Sequence, residues 1–178
     1  MSDYDLHERA ALIIHDAGGR LIGRTRLQKV AYLTQLAGLS ADFPFEYRHY
    51  GPFSEELADA MQVATGLKLV KEDECRADWG GWYSVFSTES DDQLRNQDRA
   101  RFISAAAKVG AIELELAATA AYLHDVEGYG KGNDTRDPWE ETKRRKPEKA
   151  GGGRIERAKE AYRKLQAIKT PEPLPRIA

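Results

Sequence analysis

The sequence predicts a mainly α, α+β protein. A winged-helix-like N-terminal half with a small β-hairpin (1–90) is followed by a helical half packed on it (91–169). Three observations predict this. Apolar residues recur at spacings of three and four in several segments. Glycine and proline interrupt those segments at helix-length intervals. Between the third segment and residue 90, two short apolar–polar alternations flank Gly80-Gly81.

Leu6, Ala10, Ile13 and Ile14 define a first helix over about residues 4–16, ended by Gly18-Gly19. A second starts near Thr25 as N-cap, with Leu27, Val30, Ala31, Leu33 and Ala37 on its apolar face, and stops at Gly38. Phe45, Tyr47 and His49 then alternate with Glu46, Arg48 and Tyr50 like a short strand, and Gly51-Pro52 is expected to turn the chain. Ser54 caps a third helix that runs to Thr65 and ends at Gly66. Leu67 and Leu69, then Trp82, Ser84 and Phe86, fit two strands.

A long apolar stripe from Phe102 to Leu123 predicts helix over about 93–125, split at Gly110. Residues 128–134 (GYGKGND) form a loop, and Asp137-Pro138 opens a short helix. Pro147 and Gly151–Gly153 interrupt again. Ile155, Ala158, Tyr162 and Leu165 mark a last helix, whose stripe either closes the core or seams a homodimer. The proline-rich segment 170–178 is expected to be a disordered tail on a single domain, 1–169.

Of 178 residues, 41% are hydrophobic and 31% charged, an ordinary soluble balance, and the net charge is -2. That balance gives no general attraction to nucleic acid or membrane. The charge is uneven: Lys143–Lys169 holds 11 basic and three acidic residues, +8, which leaves -10 elsewhere. The lone Cys75, the absence of an apolar leader in MSDYDLHERA and the absence of a membrane-length apolar run lead to the expectation of a cytoplasmic protein without membrane contact.

No catalytic, metal or cofactor residues are expected. His7, His15, His49 and His124 show no metal-ligand spacing, and no phosphate-binding or nucleophile motif occurs. Cys75 lies among Glu72, Asp73, Glu74 and Asp78, whose charge disfavours a thiolate. Asp137 with Glu141 and Lys143 has the residue types of a metal-dependent nuclease. That chemistry needs Glu and Lys on a strand, and a helix is predicted there.

The third helix occupies the position of a DNA-recognition helix. It carries Glu55, Glu56 and Asp59 and no basic residue. Acids in a first turn suit the helix dipole but repel phosphate. The expected partner surface is for protein: Tyr47, His49, Tyr50, Phe53, Glu55, Glu56 and Asp59, suited to a basic partner such as a toxin that targets nucleic acid. The alternative is a transcriptional regulator that binds DNA through Arg20, Arg24, Arg26, Lys29, Lys143, Arg144, Arg145 and Lys146. On a blander reading Arg24 and Arg26 are surface charges, or pair with Glu46 and Glu56 on neighbouring elements.

Two motifs carry a resemblance. Leu27, Gln28, Lys29, Tyr32 and Leu33, followed by Tyr50, Gly51, Pro52, Phe53, Ser54 and Leu57, resemble the pattern of the YwgA-like and Panacea (SocA-like antitoxin) group of bacterial and phage-associated proteins. The likeness extends over about 5–168 and is closer to the YwgA-like branch, because Arg48-His49-Tyr50 replaces the tryptophan approach of Panacea. It implies a non-enzymatic regulator, antitoxin-like or an adaptor, acting by direct contact. No catalytic residues follow from it. The residues read equally as fold-builders: Leu27, Tyr32, Leu33 and Leu57 as core, Gly51-Pro52 as turn, Ser54 as cap.

Overall fold

A computed structural model describes residues 6–89 and 96–177. The chain is an α+β fold, 52% helical, with a three-stranded antiparallel sheet and a separate hairpin. Residues 4–5 of the expected first helix and 93–95 of the expected long stripe lie outside the described residues.

Helix α1 (Leu6–Asp16) buries Ala10, Ile13 and Ile14 and leads into strand β1 (Arg20–Ile22). Helix α2 (Arg24–Leu36) follows at once. Its N-cap is Gly23, not Thr25, because the chain leaves the sheet at a φ of 98°, which a β-branched residue does not adopt. The Gly23 N–H remains in the sheet, donating to Ser84 O, while its carbonyl accepts from Leu27 N. Leu27 to Thr34 are all buried, so the middle of α2 has no polar face.

Strands β2 (Glu46–Arg48) and β3 (Gly51–Phe53) pair antiparallel, with Tyr47 opposite Pro52. His49 and Tyr50 therefore make the turn, and Gly51-Pro52 opens the return strand instead of turning the chain. Helix α3 (Glu55–Gly66) begins where Ser54 Oγ accepts from Leu57 N, the expected cap. Leu67 and Leu69 are not in a strand. Their N–H groups bond back to Val63 and Ala64 carbonyls, closing α3, with Lys68 at a φ of 62°. Pairing begins only at β4 (Lys71–Arg76), which lies against β5 (Trp82–Ser87), and β1 completes the sheet in the order β1-β5-β4.

Helices α4 (Gln97–Ala107) and α5 (Ala111–Asp125) are separated at Gly110, as the sequence predicts. Every residue from Leu114 to His124 is buried. Such a helix must lie at the centre, and α2, α6 (Pro138–Arg145) and α8 (Arg154–Gln166) all pack on α5. Asp137 caps α6 by accepting from Trp139 N at 2.8 Å, and Pro147 starts the one-turn α7 (Pro147–Ala150). The Ile155/Ala158/Tyr162/Leu165 stripe of α8 is buried in the monomer and closes the core.

The segment after α8 is not a loose tail. Leu174 is buried, Glu172 N donates to Ala37 O, Gln166 Nε2 to Leu174 O, and Tyr162 Oη to Pro175 O at 2.6 Å. A proline-rich stretch makes no ladder of its own, but its free carbonyls and one leucine give it a seat across α2 and α8. Among the described residues no helix is long and apolar enough to cross a membrane.

Candidate functional site

The two motifs singled out in the sequence meet in space. Gln28 Nε2 donates to Ser54 O at 2.9 Å and Gln28 Oε1 accepts from Ser54 N at 2.8 Å. Lys29 Nζ donates to Pro52 O at 2.7 Å. Consecutive polar residues of α2 thus hold the exit of the β2–β3 hairpin and the entry to α3. Gly51 is pressed against α5: a Cβ there would lie 2.5 Å from Thr119 Oγ1, and its φ is +91°. Only glycine meets both demands.

Beneath the hairpin lies a buried charge cluster. Glu115 of α5 accepts from Lys146 Nζ and Lys149 Nζ, each at 2.8 Å, and Lys146 also donates to His49 O. Lys29 is close enough to feel all three. Burial pulls its ammonium down to about 7; Glu115 offsets part of this, and Lys146 and Lys149 add to it. Removing one member of such a buried cluster would leave an uncompensated charge in the core, a loss of about 3–5 kcal/mol.

This clamp presents an outer face. His49 and Tyr50 are exposed at the turn, and Lys149 Nζ sits 4.5 Å from the Tyr50 ring centre. Tyr47 is half-buried, packed on Tyr122 and beneath the Arg145 guanidinium, so it supports the hairpin more than it projects. Phe53 is half-buried under Arg48. Arg48 bonds Glu46 and Glu55, which hold its guanidinium firmly charged. Glu56 and Asp59 are exposed on α3 and have no ion-pair partner among the described residues. Between α2, the hairpin turn, α3 and the sheet lies a groove of about 380 Å³, walled by Leu27, Phe53, Met61 and Phe86 and lined also by Arg24 and Glu72.

The basic residues of the DNA-binding alternative do not assemble. Lys29 and Lys146 are 1% and 3% exposed and cannot reach a phosphate. Arg24 pairs with Glu72 at 2.6 Å, not with Glu46 or Glu56. Arg26 donates to Ile22 O and Val109 O inside the fold. Arg144 and Arg145 both bind Glu141, and Arg145 also binds Glu127. Arg20 and Lys143 are exposed but lie on β1 and α6. Of the 143–146 run, opposite charges packed alongside by the fold have engaged Arg144, Arg145 and Lys146, and Lys143 is left on the surface.

Glu141 lies on helix α6, where Arg144 first, and Arg145 after it, hold its carboxyl well below the usual range. Among the described residues no group of three or more His, Cys, Asp or Glu side chains could hold a metal ion. Sequence reading missed Glu115 and Lys149 as members of the cluster. The available signal was Glu115 inside the largely apolar run Leu114–Leu123 of α5. It also missed Trp79 and Trp82, which stand 80% and 65% exposed on the β4–β5 hairpin.

Comparison of the chain with family models, with curated proteins and with solved structures finds no match in any of the three.

Proposed function

We propose that this chain is a non-catalytic, protein-binding regulator, antitoxin-like or an adaptor, of a bacterial or phage-associated locus. Its first half is winged-helix-like: α1, β1, α2, α3, β4 and β5 follow that order, with the β2–β3 hairpin inserted before α3. The observation that carries the reading is the exposed face of α3. In the position that would enter a DNA groove it presents Glu55, Glu56 and Asp59, with no Lys or Arg in the helix. A phosphate backbone is repelled there, and a basic protein surface is attracted. The resemblance of the Leu27–Leu33 and Tyr50–Leu57 motifs to the YwgA-like and Panacea group supports the same class.

A tagged pull-down from the native cell, with and without nuclease, tests it. A stoichiometric protein that survives nuclease is expected. Recovery of nucleic acid, with proteins lost after nuclease, overturns the reading. Glu55→Lys with Asp59→Lys is expected to weaken that partner's binding while the Tm stays nearly unchanged, since both side chains are exposed and the Arg48–Glu55 pair lost with them is a surface one, which adds little to stability. Unchanged affinity would move the interface elsewhere.

A further inference from the structure

Resting on that reading, we infer that the groove between α2, the β2–β3 hairpin and α3 is an anchor pocket for one large, uncharged apolar side chain, carried on a basic segment of the protein partner. The volume of about 380 Å³ falls in the range of about 300–1,000 Å³ over which pockets take compact ligands. Its walls are Leu27, Phe53, Met61 and Phe86.

The charged groups and the Gln28 amide that line it are already engaged, Lys29 by Pro52 O among them. Gln28 holds Ser54 from both ends of its amide. Glu72 accepts from Arg24 and from Ser84 Oγ. Little is left to orient a polar small molecule. A cation gains no free counter-charge either, because the one acid that lines the groove, Glu72, is already taken by Arg24. An apolar group suffers neither penalty.

The rim decides what the apolar group is attached to. Ala58 and Gln62 of α3, half-buried and exposed, line the groove toward solvent. Glu55 and Asp59, four residues apart on the same helix, run beside them, about 6 Å of rise from one to the other. A lysine or arginine beside the apolar residue meets Asp59, which has no ion-pair partner among the described residues, and can share Glu55 with Arg48, while the apolar residue fills the groove. This is the arrangement of an interface with a buried anchor and a charged rim, where the anchor carries most of the affinity and the rim steers.

The test is an NMR titration of the isotope-labelled full chain with three probe peptides: Lys-Lys-Phe-Lys-Lys, its central-alanine counterpart, and Glu-Glu-Phe-Glu-Glu. The basic phenylalanine probe is expected to bind at least about tenfold more tightly than the alanine probe and to shift the Met61 and Leu27 methyl signals. Filling the mouth with Ala58→Trp, or with Gln62→Trp at an exposed position should the first variant not fold, is expected to remove that preference. Glu55→Lys is expected to weaken both basic probes. Equal affinity of the phenylalanine and alanine probes, no saturable binding of the former, or a preference that survives the filling variants overturns the pocket. In those cases a nuclease-resistant partner weakened by Glu55→Lys leaves the protein-binding reading intact. Binding of the acidic probe alone overturns the pocket and the expected basic partner together.

Discussion

Gln28 satisfies the backbone of Ser54 from both sides: one amide arm donates to its carbonyl and the other accepts from its N–H. The two residues are 26 positions apart. Through this contact the middle of α2 determines where β3 ends and α3 begins.

Gln28→Leu is expected to unpair the buried Ser54 N–H, while the Ser54 carbonyl keeps its bond from Ala58 N. The loss should be about 1–3 kcal/mol, the cost of one unsatisfied buried donor. A urea unfolding curve measures it, and an unchanged midpoint would show that the clamp contributes nothing.

Gly51→Ala places a methyl against Thr119 Oγ1 at a positive φ. The strained backbone alone is expected to cost about 1–3 kcal/mol. Adding Thr119→Ala should restore the part that comes from contact and leave the part that comes from φ. A double-mutant cycle on unfolding free energies separates the two, and strict additivity would rule out the contact.

Lys29 makes stability depend on pH in an uncommon direction for a lysine. Its folded-state pKa, about 7, lies below the ordinary value near 10.5, chiefly because of burial. Between those two values the unfolded chain binds more protons than the folded one, so stability rises with pH through that window. Below pH 7 the ammonium is charged in both states and the full desolvation cost stands. Relative to Lys29→Met, the wild-type protein should gain up to about 1.4 kcal/mol per pH unit between pH 7.5 and 9.5. Parallel stability curves for the two proteins across that interval would exclude the effect.

Leu174→Ala is expected to lower stability by about 2–4 kcal/mol, the usual effect of truncating a buried leucine. A mobile tail would show no change. Thermal unfolding of the variant beside the wild type decides between them, and heightened proteolysis after Lys169 should accompany the loss.

Much of the local structure was legible in the residues. Ser54 and Asp137 cap their helices, Gly110 divides the long stripe, and the spacing of Ile155, Ala158, Tyr162 and Leu165 identifies the buried face of α8. These are short-range facts. A cap is set by a side chain and an N–H two or three residues away, and a stripe by the 3.6-residue turn.

The turn at His49-Tyr50 was less legible, because Gly51-Pro52 carries turn chemistry yet serves a close approach to α5. The proline-rich end was misread for a related reason. Its composition resists regular structure, but Leu174 and a few carbonyls are enough to dock it onto a surface that the sequence does not reveal.

By itself, then, the sequence determined most of the helices, the caps of α3 and α6, and the acidic outer face of α3, and it singled out the two motifs that the fold brings together. Only the tertiary structure decided what the long polar side chains do. Lys29 and Lys146 read as surface cations and are buried, one on Pro52 and the other on Glu115 and His49. Arg144 and Arg145 read as a basic patch and are paired with Glu141. A flexible charged side chain takes whichever counter-group packing brings within reach. In the Lys146–His49 contact that group lies 97 residues away, far beyond any local pattern.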